Sequence, residues 1–150
     1  MTQFDIAIRL LLATALGGAI GIERELRQKP AGLRTNILIA IGAALFTMVS
    51  ILLAGPDGIP DRVAGNIVTG VGFLGGGAIL RSGKSIHGMT TAATIWVNAA
   101  IGMAAGAGAF AMASIATVIT LVVLAALPPI ERAAERRAGL VLPPSSHADR

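Results

Sequence analysis

Two glycine spacings in this chain have the form of nucleotide-binding motifs. Gly70-x-Gly72-x-x-Gly75 matches the dinucleotide fingerprint, and Ala78-x-x-x-x-Gly83-Lys84-Ser85 matches a relaxed phosphate-binding loop. In both motifs backbone N–H groups cradle phosphate oxygens, which requires a strand before the glycines and a helix after them. The surroundings here are different. The glycines sit inside an apolar run from Val63 to Leu80, and a second run begins at Thr90. No acidic residue follows Gly75 until Glu131, so nothing stands where a ribose ligand belongs. The stretch reads instead as a glycine-faced transmembrane helix, a short basic loop and a returning helix.

Polar residues within or beside the apolar runs are the stronger chemical signal, because lipid penalises them. Asp5 and Arg9 lie one helical turn apart and are expected to pair. Glu23, Arg24 and Glu25 end the first run, and Arg34 opens the second after Pro30, so a charge cluster is expected at one membrane surface. Asp57, Asp61 and Arg62 share a loop where carboxylate oxygens could first meet a divalent cation, although exposed loop carboxylates are more often simply solvated. Asn66 and Thr69 share a helical face, as do Thr91, Thr94 and Asn98, with Thr90 beside them. Such groups can bridge helices or replace hydration oxygens around a cation; bridging is the expected role. His87 is a lone loop histidine. With no HExxH, no Ser/His/Asp set and no buried carboxylate pair, no catalytic residue is assigned and an enzyme is not expected. The residues leave any metal ligands unknown.

The elements that hold these residues follow from composition. The chain is 54% hydrophobic and 13% charged, against about 25% charged in soluble domains. Five apolar segments, each of 18 or 19 residues, run roughly over Phe4–Ile22, Ile37–Ala54, Val63–Leu80, Thr90–Ala107 and Phe110–Leu127. That length is at the short end of what crosses about 30 Å of hydrocarbon. The expected fold is therefore all-α and polytopic, with about five transmembrane helices over residues 1–127. Gly55–Pro60 reads as a loop, and Gly106–Ala109 as a tight hairpin, with one long buried helix as its alternative. The N-terminal run lacks a basic lead and a small-x-small cleavage site, so it is expected to stay as the first span. Pro128-Pro129 is expected to stop the fifth helix. Residues 128–150 then form a short disordered tail, with a helical turn or two over Glu131–Arg137.

Of twelve basic residues, ten fall in the first connection (Arg24, Arg27, Lys29, Arg34), the third (Arg81, Lys84) and the tail (Arg132, Arg136, Arg137, Arg150). The positive-inside rule then places the N-terminus outside and the C-terminus in the cytoplasm. This clustering at segment ends argues against a nucleic-acid partner despite the formal charge of +4. The lipid bilayer is the expected partner. Gly17 and Gly21, and Gly65, Gly70, Gly72, Gly75, Gly76 and Gly77, are spaced for close helix packing, including self-association as a homo-oligomer. A break of the third helix at Gly75–Gly77 is the alternative use of those glycines. There are no cysteines, so disulfides and thiolate metal sites are excluded.

Five passages, in order, resemble the membrane domain of the MgtC/SapB family. They are Gly21-Ile-Glu-Arg-Glu25, Ala31-Gly-Leu-Arg-Thr35, Arg62-Val-Ala64, Gly70-Val-Gly-Phe-Leu-Gly75 and Gly88-Met-Thr-Thr-Ala-Ala-Thr-Ile-Trp96. The resemblance covers roughly residues 4 to 127. It implies a bacterial inner-membrane protein linked to magnesium homeostasis, to growth at low magnesium and, in pathogens, to survival inside macrophages. It further implies a regulator of another inner-membrane protein, such as the ATP synthase membrane sector, or, in the older proposal, a magnesium transporter. No cofactor is implied beyond magnesium as ligand or transported ion. Carried over by position, the motif residues are Glu23, Arg24, Arg34, Arg62, Gly70, Gly75, Thr90, Thr91 and Trp96. Departures from the family pattern are Gly76 for alanine, Met89 for leucine, Asn66 for glutamine, and Ile59 where an acid is common. The last removes the acid that an outer carboxylate site would use. The resemblance does not reach the soluble C-terminal domain of the longer members, so functions that depend on that domain are not expected.

Overall fold

The first helix, α1 (Gln3–Leu26), starts at a capping box. The Thr2 hydroxyl accepts from the Asp5 N–H, and the Asp5 carboxylate accepts from the Thr2 N–H and hydroxyl. The Asp5 carboxylate is thereby spent on the N-cap, whose N–H an Asp5–Arg9 pair would have left open. The expected pair is accordingly absent, and Arg9 turns elsewhere. The structure, a computed structural model, describes residues 1–55, 61–82 and 85–138. The loop at Pro56–Pro60 with Asp57 and Ile59, the Gly83-Lys84 pair, and the tail from residue 139 with Pro143–Ser146 lie outside the described residues.

After α1 come α2 (Leu33–Ala54), α3 (Asp61–Gly77), a hairpin of β1 (Leu80–Ser82) and β2 (Ser85–His87), α4 (Met89–Gly106) and α5 (Phe110–Arg137). The fold is all-α as expected, but the basic loop contains a two-stranded antiparallel ladder pairing Leu80 with His87 and Ser82 with Ser85. A strand of three residues is too short to show a period in the sequence. Helices α1, α2 and the Phe110–Glu131 part of α5 are long and apolar enough to cross a membrane. α3 is continuous through Gly75 and Gly76 and ends at Gly77.

Between α4 and α5 the chain makes two helices, not one long rod. Gly108 takes a φ of 83°, its N–H reaches the Ala105 carbonyl, and the Ala109 N–H reaches Ala104. This is the Schellman closure, and its left-handed position suits glycine. At the other end α5 does not stop at Pro128-Pro129 but continues to Arg137. Pro129 has no N–H for the carbonyl four residues back, Ala125. The Arg27 guanidinium, from α1, donates to that carbonyl at 3.4 Å, a long contact that partly replaces the missing bond.

Helix α2 is the centre of the bundle, flanked by α1 and α4. A Cβ at Gly17 would lie 2.7 Å from Ala40 Cβ, and one at Gly21 would lie 2.7 Å from Leu33 Cα. From the opposite side, a Cβ at Gly102 or Gly106 would run into the Ala40 or Ala44 carbonyl. Small residues therefore set the spacing on both faces, as in membrane helix pairs. The core is built mostly of alanine, with Ile20, Ile101 and Leu124 filling the wider gaps.

Burial is inverted relative to a water-soluble protein. Phe73 is 83% exposed, Leu26 80% and Leu53 76%, while Asn36 and Asn98 are 0% exposed and Arg24 only 4%. Large apolar side chains outward and polar ones inward is the arrangement lipid selects. Helix α3 packs on α4 more than on α2, leaving an apolar groove of about 800 Å³ between α2 and α3.

Candidate functional site

The end of α1 and the start of α2 carry the densest polar chemistry. Arg24 is buried and donates to the Thr91 hydroxyl of α4 at 2.8 Å, tying the α1 end to the α4 start. Glu23 lies beside it, with Arg27 Nε 2.6 Å from Oε1. That contact is one of charge and not an aligned hydrogen bond, because both Glu23 oxygens are buried with no donor directed at them. Arg24 Nε is likewise buried without an acceptor. The Glu25 carboxylate turns the other way and accepts the Leu33 N–H at 3.0 Å, capping α2 from α1. Arg34, expected in this cluster, is exposed and, among the described residues, makes no ion pair with it.

Deeper in, Asn98 of α4 donates to the Asn36 backbone carbonyl at 2.7 Å and to Asn36 Oδ1 at 3.1 Å. Asn36 Nδ2 reaches back to the Ala31 and Gly32 carbonyls. Ala31 is held at a φ of 58°, a left-handed position rare for a residue with a Cβ. One side chain thus fastens three pieces: the α1–α2 connection, α2 itself and α4. Leaving such an amide unpaired in an apolar medium costs about 4–8 kcal/mol on the alkane scale, so the pairing is strongly enforced. Asn98 Oδ1 has no partner. Thr94, buried on the same α4 face, bonds the Thr90 carbonyl of its own helix at 2.7 Å. At the opposite end Arg9 donates to the Gly106 carbonyl at 2.6 Å, where the α4 terminus concentrates negative partial charge.

The structure brings Arg24, Thr91, Thr94 and Asn98 into the interior between α1, α2 and α4, with Glu23 half-buried beside Arg27 and Thr90 exposed at the α4 start. It does not bring in Asn66, which is exposed and lines the α2–α3 groove. Trp96 is 51% exposed on the outer surface of α4. Arg62 lies in the first turn of α3. The α3 glycines point three ways. Gly70 lines the groove, a Cβ at Gly75 would lie 3.5 Å from the Ala92 carbonyl oxygen of α4, and Gly72 stands in open space with Gly65 and Gly76. Among the described residues no three His, Cys, Asp or Glu side chains gather as a metal site.

Asn36 was not singled out by sequence, because it sits one residue before the apolar run that begins at Ile37. Its signal was its type: a second asparagine at membrane depth beside Asn98 needs a partner. Gly102 and Gly106 were also passed over, although their four-residue spacing is the same signal that marks Gly17 and Gly21.

The MgtC family model matches residues 10–133. The chain is 48% identical to Protein MgtC of Brucella abortus over 126 residues, covering 84% of this chain and 52% of that protein. It is 49% identical to Protein MgtC of Salmonella typhimurium over 121 residues, 81% of this chain and 52% of that one. An uncharacterized protein of Synechocystis is 49% identical over 123 residues, with 82% and 52% covered. The chain spans about half the length of these relatives. No solved structure matches it.

Proposed function

Because this chain belongs to the MgtC family of membrane proteins, we propose that it is a non-enzymatic regulator tied to magnesium homeostasis, acting through helix contacts with another membrane protein. The observation that carries the reading is a division of labour among small residues. Gly17, Gly21, Gly102 and Gly106 are sealed against neighbouring helices, whereas Gly65, Gly72 and Gly76 meet nothing within 4 Å. With Thr69, which is exposed, they fall at i, i+4, i+7 and i+11, one stripe along the outer face of α3. A stripe of this kind lets another helix approach closely in lipid. A second copy of the chain, or a partner such as the ATP synthase membrane sector, would supply that helix. The expected setting is the bacterial inner membrane, with five spans, the N-terminus outside and the C-terminus in the cytoplasm.

A transport reading has one observation in its favour. The Glu23 oxygens, Arg24 Nε and Asn98 Oδ1 keep unused hydrogen-bonding capacity in the interior, as the lining of a polar path would. The two readings separate in liposomes. Purified protein reconstituted alone should move neither magnesium nor protons. Gly72→Leu should abolish complementation of low-magnesium growth while leaving thermal unfolding within about 0.5 kcal/mol of wild type, as for other surface changes. Magnesium flux by the protein alone, removed by Glu23→Gln, would establish transport instead.

A further inference from the structure

We propose that the groove between α2 and α3 is a binding site for one anionic phospholipid, its acyl chain lying between the helices and its phosphate held at Arg34. The groove is lined by Thr35, Leu38, Gly42 and Phe46 of α2 and by Gly70 and Leu74 of α3, among others. Its α2 wall runs from the first turn of that helix to Phe46, roughly 16 Å at 1.5 Å per residue. That is the depth of one leaflet, about half of a 30 Å hydrocarbon layer. A groove of this volume open to lipid is filled by what surrounds it, and its length fits an acyl chain entering from the Thr35 end.

Charge selects the headgroup. Arg34 is exposed and stands one helical turn before Leu38, whose exposed side chain forms part of the groove wall. Glu25 caps the Leu33 N–H, and the first-turn N–H groups of Arg34 and Thr35 have no helical acceptor at the same end. The Arg34 guanidinium is complementary to a phosphate, and basic side chains at a membrane surface favour anionic lipid. The glycines make the channel: neither Gly42 nor Gly70 has an atom within 4 Å of where a Cβ would stand. The site is independent of the α3 outer stripe, which lies on the far side of that helix.

The test uses the full chain in vesicles of phosphatidylcholine with spin-labelled phosphatidylglycerol or spin-labelled phosphatidylcholine as probes. The wild type should immobilise labelled phosphatidylglycerol with about fivefold preference, the effect of about one basic side chain at an anionic surface. Arg34→Gln should remove the preference, and Gly42→Leu with Gly70→Leu should remove the immobilised chain while leaving thermal unfolding unchanged. Equal immobilisation of the two lipids by the wild type would overturn the proposal, as would full retention of phosphatidylglycerol by the double leucine variant. Disulfide cross-linking between copies carrying Asn66→Cys, at the far end of the groove, would show that a second chain fills it and would overturn the proposal equally.

Discussion

Gly102→Leu is expected to unseat α4 from α2 and to leave little folded protein in detergent. The position of its new Cβ is taken by the Ala40 carbonyl, and the Ala40 Cα lies 2.9 Å away. Overpacking that side chains can absorb costs about 1–3 kcal/mol. Here the obstacle is backbone, and Ala40 is pinned from behind by Gly17 of α1, so α2 cannot step aside. The penalty should therefore reach or exceed the top of that range. Reversible unfolding in mixed detergent micelles measures it, with Gly42→Leu, which meets open space, as the matched control. Equal stability of the two variants would show that α2 and α4 do not approach as described.

Asn36→Leu should produce the second large loss. The substitution removes the side-chain acceptor used by Asn98, leaving it the backbone carbonyl, and removes the donor that holds the Ala31 and Gly32 carbonyls. It also places a branched side chain where Asn36 Cβ already lies within 3.2 Å of a Cβ built at Gly21. Each buried polar group stranded costs about 1–3 kcal/mol, so the variant should fall well below Asn98→Leu, which strands fewer. A double-mutant cycle on the pair should give coupling of about 0.6–1.7 kcal/mol, the range found between membrane helices. Additive effects of Asn36→Leu and Asn98→Leu would mean that the two amides do not share a bond.

Much of the architecture was legible because lipid imposes simple rules. Apolar runs of membrane length gave the helices, and Gly17 with Gly21 marked a real close contact. Thr91, Thr94 and Asn98 were correctly placed on one face, since helical spacing alone decides that. Spacing does not decide what the face meets. Gly70, Gly72 and Gly75 look alike in sequence, yet steps of about 100° per residue send them to a groove, to the outside and to α4. Arg24 and Arg34 were equally plausible members of the charged cluster. Only the Thr91 hydroxyl, distant in sequence and bonded by Arg24, separates them. The fifth helix outran its expected stop because Pro128 and Pro129 remove donors without forbidding helical dihedrals, and Arg27 of another helix meets one freed carbonyl.

We propose that the polar interior joins helices and does not conduct. Thr94→Cys tests it directly, since that position is 4% exposed between the helices beside Asn98 and its hydroxyl binds only its own helix. In intact membrane vesicles a water-soluble thiol reagent should leave this cysteine unlabelled from either side, and should label it fully once the protein is unfolded in SDS. Rapid labelling in the folded, membrane-embedded protein would mean that water reaches the Asn36–Asn98 pair, and a polar path would replace the closed bundle described above.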